Sequence, residues 1–332
     1  MACTSAFSQT TDSSNHFLQK GLLEKQNGRR LESLKQFERA LKYDANNKTV
    51  LAELGLAYID LRKYYEALQT YKKLESLGDA TASTLEQLLA LSYNLKQPDE
   101  VILYANKLKE IDPSAKVSFY IGKIYYDNEN YGEAINTLQT AAKEDPANAE
   151  VPYMIARSYA DMTNYKQAIP FYQQAVKLDT SKPNWIYEMG LTYYAMNDKK
   201  NALKYILQAG NKGLKKDNSY MQNLGVAYLD AGELDQGISI MMEVLKRKPS
   251  DINVLNTVAE AYYYGGKYQD AMDHWDKILS YDKQNASALY MIGMCYQKKG
   301  EKEKGQLLCD KAIEMDPSLS VLKQKKEMPG GL

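Results

Sequence analysis

Cysteine, histidine and phenylalanine are scarce in this chain, with 3 Cys, 2 His and 5 Phe among 332 residues. Three cysteines are too few for a disulfide framework. Cys295 and Cys309 fall on the two predicted helices of one hairpin and read as small buried hydrophobes. With only His16 and His274 available, no Cys/His cluster has zinc spacing. Charge of one sign is also missing: Lys plus Arg and Asp plus Glu both number 42. Neither a basic excess nor a basic stripe is present, which argues against nucleic acid as a partner. The longest apolar stretches, such as Ile238 to Leu245, are interrupted by Ser or Glu and are too short to span a bilayer. An integral membrane protein is therefore not expected. No Walker-type loop and no GxGxxG occurs, and Gly265-Gly266 reads as a turn. No cofactor and no metal are expected. His274 sits among Asp273, Trp275 and Asp276, and no base and nucleophile pair up, so the chain does not read as an enzyme.

What is abundant is tyrosine, 28 residues, and a period. Small residues recur at Gly21, Gly55, Ala90, Gly122, Ala156, Gly190, Gly225, Ala259 and Gly293, with gaps of 34, 35, 32, 34, 34, 35, 34 and 34 residues. All but the first are followed three residues later by tyrosine: Tyr58, Tyr93, Tyr125, Tyr159, Tyr193, Tyr228, Tyr262 and Tyr296. Twelve residues beyond the small position a second one recurs, as at Ser33, Ala67, Ala134, Ala168, Ala202, Gly237, Ala271 and Gly305. A large side chain follows four residues later, as at Phe37, Tyr71, Leu138, Tyr172, Ile206, Met241 and Trp275. Several units close at Pro113, Pro146, Pro249 or Pro317. Spacings of three and four are helical, so each unit reads as helix A, a turn, helix B and a Pro-marked stop. One such hairpin cannot bury its apolar face alone and must stack on its neighbours.

This pattern resembles the tetratricopeptide repeats. Ile121-Gly122, Tyr125, Tyr131, Ala134, Leu138, Ala141 and Pro146 form one nearly complete unit, and Leu224-Gly225 with Tyr228 and Ile292-Gly293 with Tyr296 open two others. The resemblance covers about residues 14 to 319. It implies an all-α fold: a right-handed α-α superhelix of nine repeats and about eighteen antiparallel helices. Residues 1–13 are expected to precede the fold as a disordered leader or signal-peptide remnant, and residues 320–332 to form a short cap or tail. The third unit is short, with Lys96-Gln97-Pro98-Asp99 in place of a longer inter-helix turn. Lys20 and Glu24 in the first unit stand where others have apolar residues or Tyr, as suits an N-terminal cap. Pro170 is expected in the first turn of its helix, where a missing N–H costs little, or at a kink if the helix starts earlier.

The resemblance also implies that A helices line a concave groove. Its fifth, ninth and twelfth positions are spaced i, i+4 and i+7 and form one stripe. Tyr126, Tyr153, Tyr187, Tyr194, Tyr263, Tyr264 and Tyr290 fall at groove positions, whereas Tyr64, Tyr131, Tyr165, Tyr268, Tyr71 and Tyr172 join the repeat tyrosines as packing residues. Units four to six are richest: Phe119, Lys123, Tyr126; then Tyr153, Arg157; then Tyr187, Leu191, Tyr194. These eight are the candidate partner-binding residues, an aromatic floor in which Lys123 and Arg157 would meet a carboxylate or carbonyls of an extended ligand. The competing reading is that the rings cover neighbouring helices. The Lys, Asn, Asn, Lys, Arg set with which some family members clamp chaperone tails is not found. Asp60, Asp127, Asp161 and Asp230 recur at the thirteenth position and read either as local pairing or as part of a mixed-sign groove.

Ala6-Phe7-Ser8 before Gln9 has the small-x-small form of a signal-peptidase site, without a charged or apolar leader ahead of it. Ala2-Cys3 gives a weaker lipoprotein reading. Bacterial periplasm or envelope and cytoplasm both stay open. The expected function is a non-catalytic scaffold holding a protein or peptide segment in a tyrosine-rich groove. The alternative is a self-associating structural protein of the bacterial envelope, a homo-oligomer formed through the C-terminal end.

Overall fold

The computed structural model describes residues 2–325, with side chains described over residues 12–322. It is built of α-helices, and the described residues contain no strand. The order is α1 (Ala2–Gln26), α2 (Arg30–Tyr43), α3 (Lys48–Asp60), α4 (Tyr64–Ser76), α5 (Ala82–Asn94), α6 (Pro98–Ile111), α7 (Ser118–Asp127), α8 (Tyr131–Glu144) and α9 (Glu150–Asp161). It continues with α10 (Tyr165–Leu178), α11 (Pro183–Ala195), α12 (Lys199–Asn211), α13 (Asn218–Asp230), α14 (Leu234–Arg247), α15 (Ile252–Tyr264), α16 (Tyr268–Tyr281), α17 (Ala286–Lys298) and α18 (Lys302–Met315). A 3₁₀ turn (Pro317–Leu319) and α19 (Ser320–Lys325) close the series, adding one short helix to the expected eighteen. The chain divides after Met162 into two compact units. The first holds α1 to α9 and the second α10 to α19.

Backbone chemistry at the turns sets the register. Between helices A and B the chain passes through one left-handed residue: Gly28, Arg62, Lys96, Glu129, Thr163, Asn197, Gly232, Gly266 and Gly300. That conformation reverses the chain while using the last helical carbonyls. Arg62 N–H donates to the Ile59 carbonyl at 2.9 Å, and Lys63 N–H to the Tyr58 carbonyl at 2.8 Å. The same two bonds recur at Glu129 and Asn130, at Gly232 and Glu233, and at Gly266 and Lys267. Several A helices start on a side chain that accepts a first-turn N–H: Asn47, Thr81, Asp217, Asp251 and Asn285. After several B helices an aspartate folds back on the chain. Asp112, Asp179 and Asp316 accept the N–H two residues on, at 2.9 to 3.0 Å. Proline follows Asp112 and Asp316, which is the stop signal seen in the sequence.

Small residues on helix A meet large ones on helix B. A Cβ on Gly21 would lie 2.3 Å from the Phe37 ring, one on Gly55 2.5 Å from Tyr71, and one on Gly122 2.7 Å from Leu138. In the second unit a Cβ on Gly225 would lie 2.9 Å from Met241, and one on Gly293 2.7 Å from the Cys309 sulfur. Such sites accept no side chain without moving a helix. Cys295 and Cys309 are both buried, and burial pushes the Cys295 thiol up to about 12.

The third repeat differs from its sequence reading. Its turn is the three residues Leu95 to Gln97, as long as Leu61 to Lys63 in the second repeat. Gln97 N–H donates to the carbonyl of Ser92, so Ser92, and not Tyr93, holds the place of Tyr58. The helix-A packing position is then Leu89, not Ala90, and its helix-B counterpart is Ala105; they are 2% and 0% exposed. Large and small have exchanged sides, which keeps the volume and hides the repeat from a search for small residues. The missing residue falls between Asp112 and Gly122, where α7 has ten residues against the 12 or 13 of the A helices that follow α1 elsewhere.

Two other expectations change. Pro170 is the sixth residue of α10, past the first turn. It lacks the N–H that would bond to the Lys166 carbonyl; both residues are exposed, so water can serve that carbonyl. The first helix begins at Ala2, twelve residues ahead of the expected boundary, and Thr4 to Asn15 contains no glycine or proline to stop it. The side chains of Ala6-Phe7-Ser8 and of Cys3 lie outside the described residues, as do residues 326–332 with Pro329-Gly330-Gly331.

Candidate functional site

The stripe positions come from counting back from the left-handed residue, so that i, i+4 and i+7 of each A helix share a face. In the first unit this places Tyr93 on α5, Phe119, Lys123 and Tyr126 on α7, and Tyr153 and Arg157 on α9. Tyr93, read from the sequence as a packing tyrosine, thus belongs to the stripe.

These residues interlock in a repeating way. The Lys123 ammonium lies 5.1 Å from the centre of the Phe119 ring, on its own helix, and 5.1 Å from that of Tyr93, on the preceding A helix. One repeat later the Arg157 guanidinium lies 5.9 Å from the Tyr153 ring and 5.2 Å from that of Tyr126. Each cation is held between one ring of its own repeat and one of the repeat before, a cation–π arrangement that fixes a long side chain. Lys123 also stands 3.8 Å from Glu150. The Tyr126 hydroxyl donates to Asp161 at 2.5 Å. Burial, then that bond to an anion, pushes the Tyr126 hydroxyl well above its usual range. Asp161, one of the thirteenth-position aspartates, thus has a local partner in Tyr126. Phe119, Lys123, Tyr126, Tyr153 and Arg157 are all half-buried.

The remaining candidates lie in the second unit. Tyr187 is half-buried: its hydroxyl accepts from the Asn223 amide at 2.7 Å, and its ring centre is 5.8 Å from that of Tyr220. Leu191 packs against the core of that unit. Tyr194 is 43% exposed, and its hydroxyl is raised by burial and by the charge of Asp230. Tyr263 and Tyr290, expected at the groove, are instead 8% and 3% exposed. Tyr263 sits among Tyr268 and Trp275, with ring centres at 5.5 and 6.1 Å. A stripe position is open only where the next repeat leaves it uncovered, which spacing alone does not report.

The described residues contain no group of three side chains able to hold a metal ion and no helix long and apolar enough to cross a membrane.

Comparison with known proteins bears on the repeats themselves. Family models described as tetratricopeptide repeat match residues 18–82, 219–251 and 286–319. A model described as anaphase-promoting complex, cyclosome, subunit 3 matches residues 94–175. The BBSome complex member BBS4 of Bos taurus is 31% identical over 87 residues, 26% of this chain and 17% of that protein. The peroxisomal targeting signal receptor of Kluyveromyces lactis is 24% identical over 138 residues, 39% of this chain and 24% of that protein. The chain thus spans less than a quarter of the length of either relative. Among solved structures, YrrB, described as a TPR protein with an unusual peptide-binding site, is 21% identical, with 57% of this chain and 98% of that chain covered and a TM-score of 0.47.

Proposed function

This chain belongs to the tetratricopeptide-repeat family, and we propose that it is a non-catalytic scaffold that holds an extended segment of a partner protein along α5, α7 and α9. The observation that carries this reading is the pair of ring-held cations, Lys123 and Arg157. Repeat packing requires small and large residues at the A–B contact, as at Gly122 and Leu138. It does not require two cations, each between two rings, on the half-exposed face. Held this way, each presents its charge with little rotamer entropy left to lose on binding. The rings offer flat apolar surface on either side. A chain segment with carboxylate side chains, or with backbone carbonyls free to accept, suits such a row. The Kluyveromyces lactis relative is named a receptor for a targeting signal, and the role of receiving another molecule is what the proposal carries over.

Peptides selected against the immobilised full chain from a random library provide the test. The best should lose roughly 2 kcal/mol or more of affinity on Arg157→Ala or Tyr93→Ala, the usual scale for central interface residues. Selected peptides that bind both variants as tightly as the parent would place the interface elsewhere.

A second reading is self-assembly through the C-terminal end. It rests on Leu307 and Val321, which stand 70% and 55% exposed on the last two helices. Multi-angle light scattering separates the two, because only self-assembly gives a mass that rises with concentration and falls on Leu307→Glu.

A further inference from the structure

Between Asp198 and Asp217 the chain carries six lysines, Lys199, Lys200, Lys204, Lys212, Lys215 and Lys216, and no acidic residue. The overall balance of 42 against 42 conceals this local excess, which the expectation of no basic stripe passed over. All six are exposed. The two aspartates that bound the run are occupied as caps: Asp198 accepts the Asn201 N–H at 3.1 Å, and Asp217 accepts that of Tyr220 at 3.0 Å. Lys199 stands 3.8 Å from Asp230, and among the described residues none of the other five makes an ion pair.

Folding does not ask for this charge. The seven B helices other than α10 and α12 place an acidic residue in the first turn, where it meets the positive end of the helix dipole. α12 opens on Lys199 and Lys200 instead, and sets Lys204 four residues after Lys200, a like-charged pair that a helix resists. The buried side of α12 is Ala202, Leu203, Ile206, Ala209 and Gly210. Lys200, Lys204, Gln208 and Asn211 run along the opposite side, spaced by helical turns. Lys212 follows at the end of the helix, and Lys216 lays its stem there, with Cε 3.4 Å from where a Cβ on Gly210 would stand. Lys204 is held over the Tyr205 ring, 4.9 Å from its centre, and that ring stacks on Tyr193 of α11 at 5.3 Å.

Lys200 and Lys204 are about 6 Å apart along the helix axis, close to the roughly 6.8 Å at which an extended chain returns a side chain to the same side. A row of ammonium and amide donors at that spacing suits carboxylates. No large apolar side chain of α12 is exposed to enter a bilayer, and Tyr205 already stacks on Tyr193, so it offers bases no platform. We infer that the exposed side of α12, with the connection that follows it, binds an extended segment of a partner polypeptide rich in Asp or Glu. This surface belongs to a B helix of the second unit. It uses no A-helix stripe residue and is separate from the row on α5, α7 and α9.

Isothermal titration of the full chain with acetyl-Glu-Gly-Glu-Gly-Glu-Gly-Glu-amide tests it, against the same peptide with glutamine in place of every glutamate. The acidic peptide should bind about tenfold tighter, and its advantage should shrink as salt is raised. Lys200→Gln combined with Lys204→Gln should lower its affinity about tenfold, while that protein melts no lower than the parent because a like-charged pair has been removed. Carboxylates also suit the first-unit row, so the same pair is introduced into a Lys123→Ala, Arg157→Ala protein, where the tenfold loss should persist. That comparison keeps a failure here distinct from a failure of the first-unit site. Four results overturn the inference: no preference for the acidic peptide; an equal loss on Lys277→Gln with Lys283→Gln, two exposed lysines of the second unit; no loss in the Lys123→Ala, Arg157→Ala protein; or tighter binding of phosphatidylserine vesicles or oligothymidylate that depends on Lys200 and Lys204.

Discussion

Replacing Gly190 by leucine sets helix propensity against packing, and the geometry decides which wins. Gly190 lies inside α11, so any side chain would gain up to about 1 kcal/mol of propensity. Against this, a Cβ alone would lie 3.0 Å from the backbone nitrogen and from Cγ1 of Ile206, and 3.4 Å from the Ala202 carbonyl oxygen. Two of those three atoms are backbone of α12, so no rotamer change clears the space; the helix itself must move. Leucine adds further carbons beyond Cβ, and overpacking of this kind costs about 1–3 kcal/mol. Because each repeat is held by its neighbours, displacing α12 should weaken the stack on both sides. We expect urea unfolding followed by circular dichroism to show net destabilisation. Gly132→Ala is the control: it is exposed on α8 with nothing within 4 Å of a Cβ, so it should be neutral or stabilising by up to about 1 kcal/mol. A Gly190→Leu protein that melts at or above the parent temperature would falsify the packing argument.

Thr163 holds a left-handed turn at φ 58° with a β-branched side chain, so Thr163→Gly should raise the melting temperature by an amount equivalent to about 1 kcal/mol; an unchanged or lowered melt would show that the threonine side chain compensates for the strain. Tyr187→Ala and Tyr194→Ala should part ways in stability: Tyr187 loses the Asn223 bond and the Tyr220 contact and should cost about 1–3 kcal/mol, whereas the 43% exposed Tyr194 should cost under about 1. Equal losses would mean that exposure is not the governing variable. For Glu260 the sign follows from burial. Its folded pKa is raised above the ordinary 4.5, so its contribution is most favourable below that value and is lost as pH rises through the folded pKa. Glu260→Gln should therefore stabilise at neutral pH and lose that advantage below about pH 4.5, and thermal melts showing a pH-independent gain would refute this account.

Much of the fold was legible because its signals are local. The spacing of three and four residues, the small position of helix A with the large one of helix B, the Asp-Pro stops and the Gly265-Gly266 turn all follow from sterics within one hairpin. Repetition then amplified each weak preference into a register. The third repeat escaped because only the sum of volumes at the A–B contact is constrained, and Leu89 with Ala105 satisfies it as well as glycine with a large residue does.

The site was legible in part. Phe119, Lys123, Tyr126, Tyr153 and Arg157 could be placed on one stripe, since a helix period fixes which residues share a face. Their neighbours could not, because those come from the adjacent repeat some 34 residues away. That Lys123 lies between Phe119 and Tyr93, and Arg157 between Tyr153 and Tyr126, depends on how far one A helix is offset against the next. The same offset buries Tyr263 and Tyr290 while leaving Tyr194 and Tyr264 open, although all four occupy groove positions. It also decides that Glu260 is nearly enclosed, with an amide and not a cation as its partner. Sequence by itself determined the helices, their pairing and their period, because hydrogen bonding and close packing act within a hairpin. Tertiary structure alone decided which stripe residues meet water and which charges find partners, because burial is a property of the surface that the next repeat lays down.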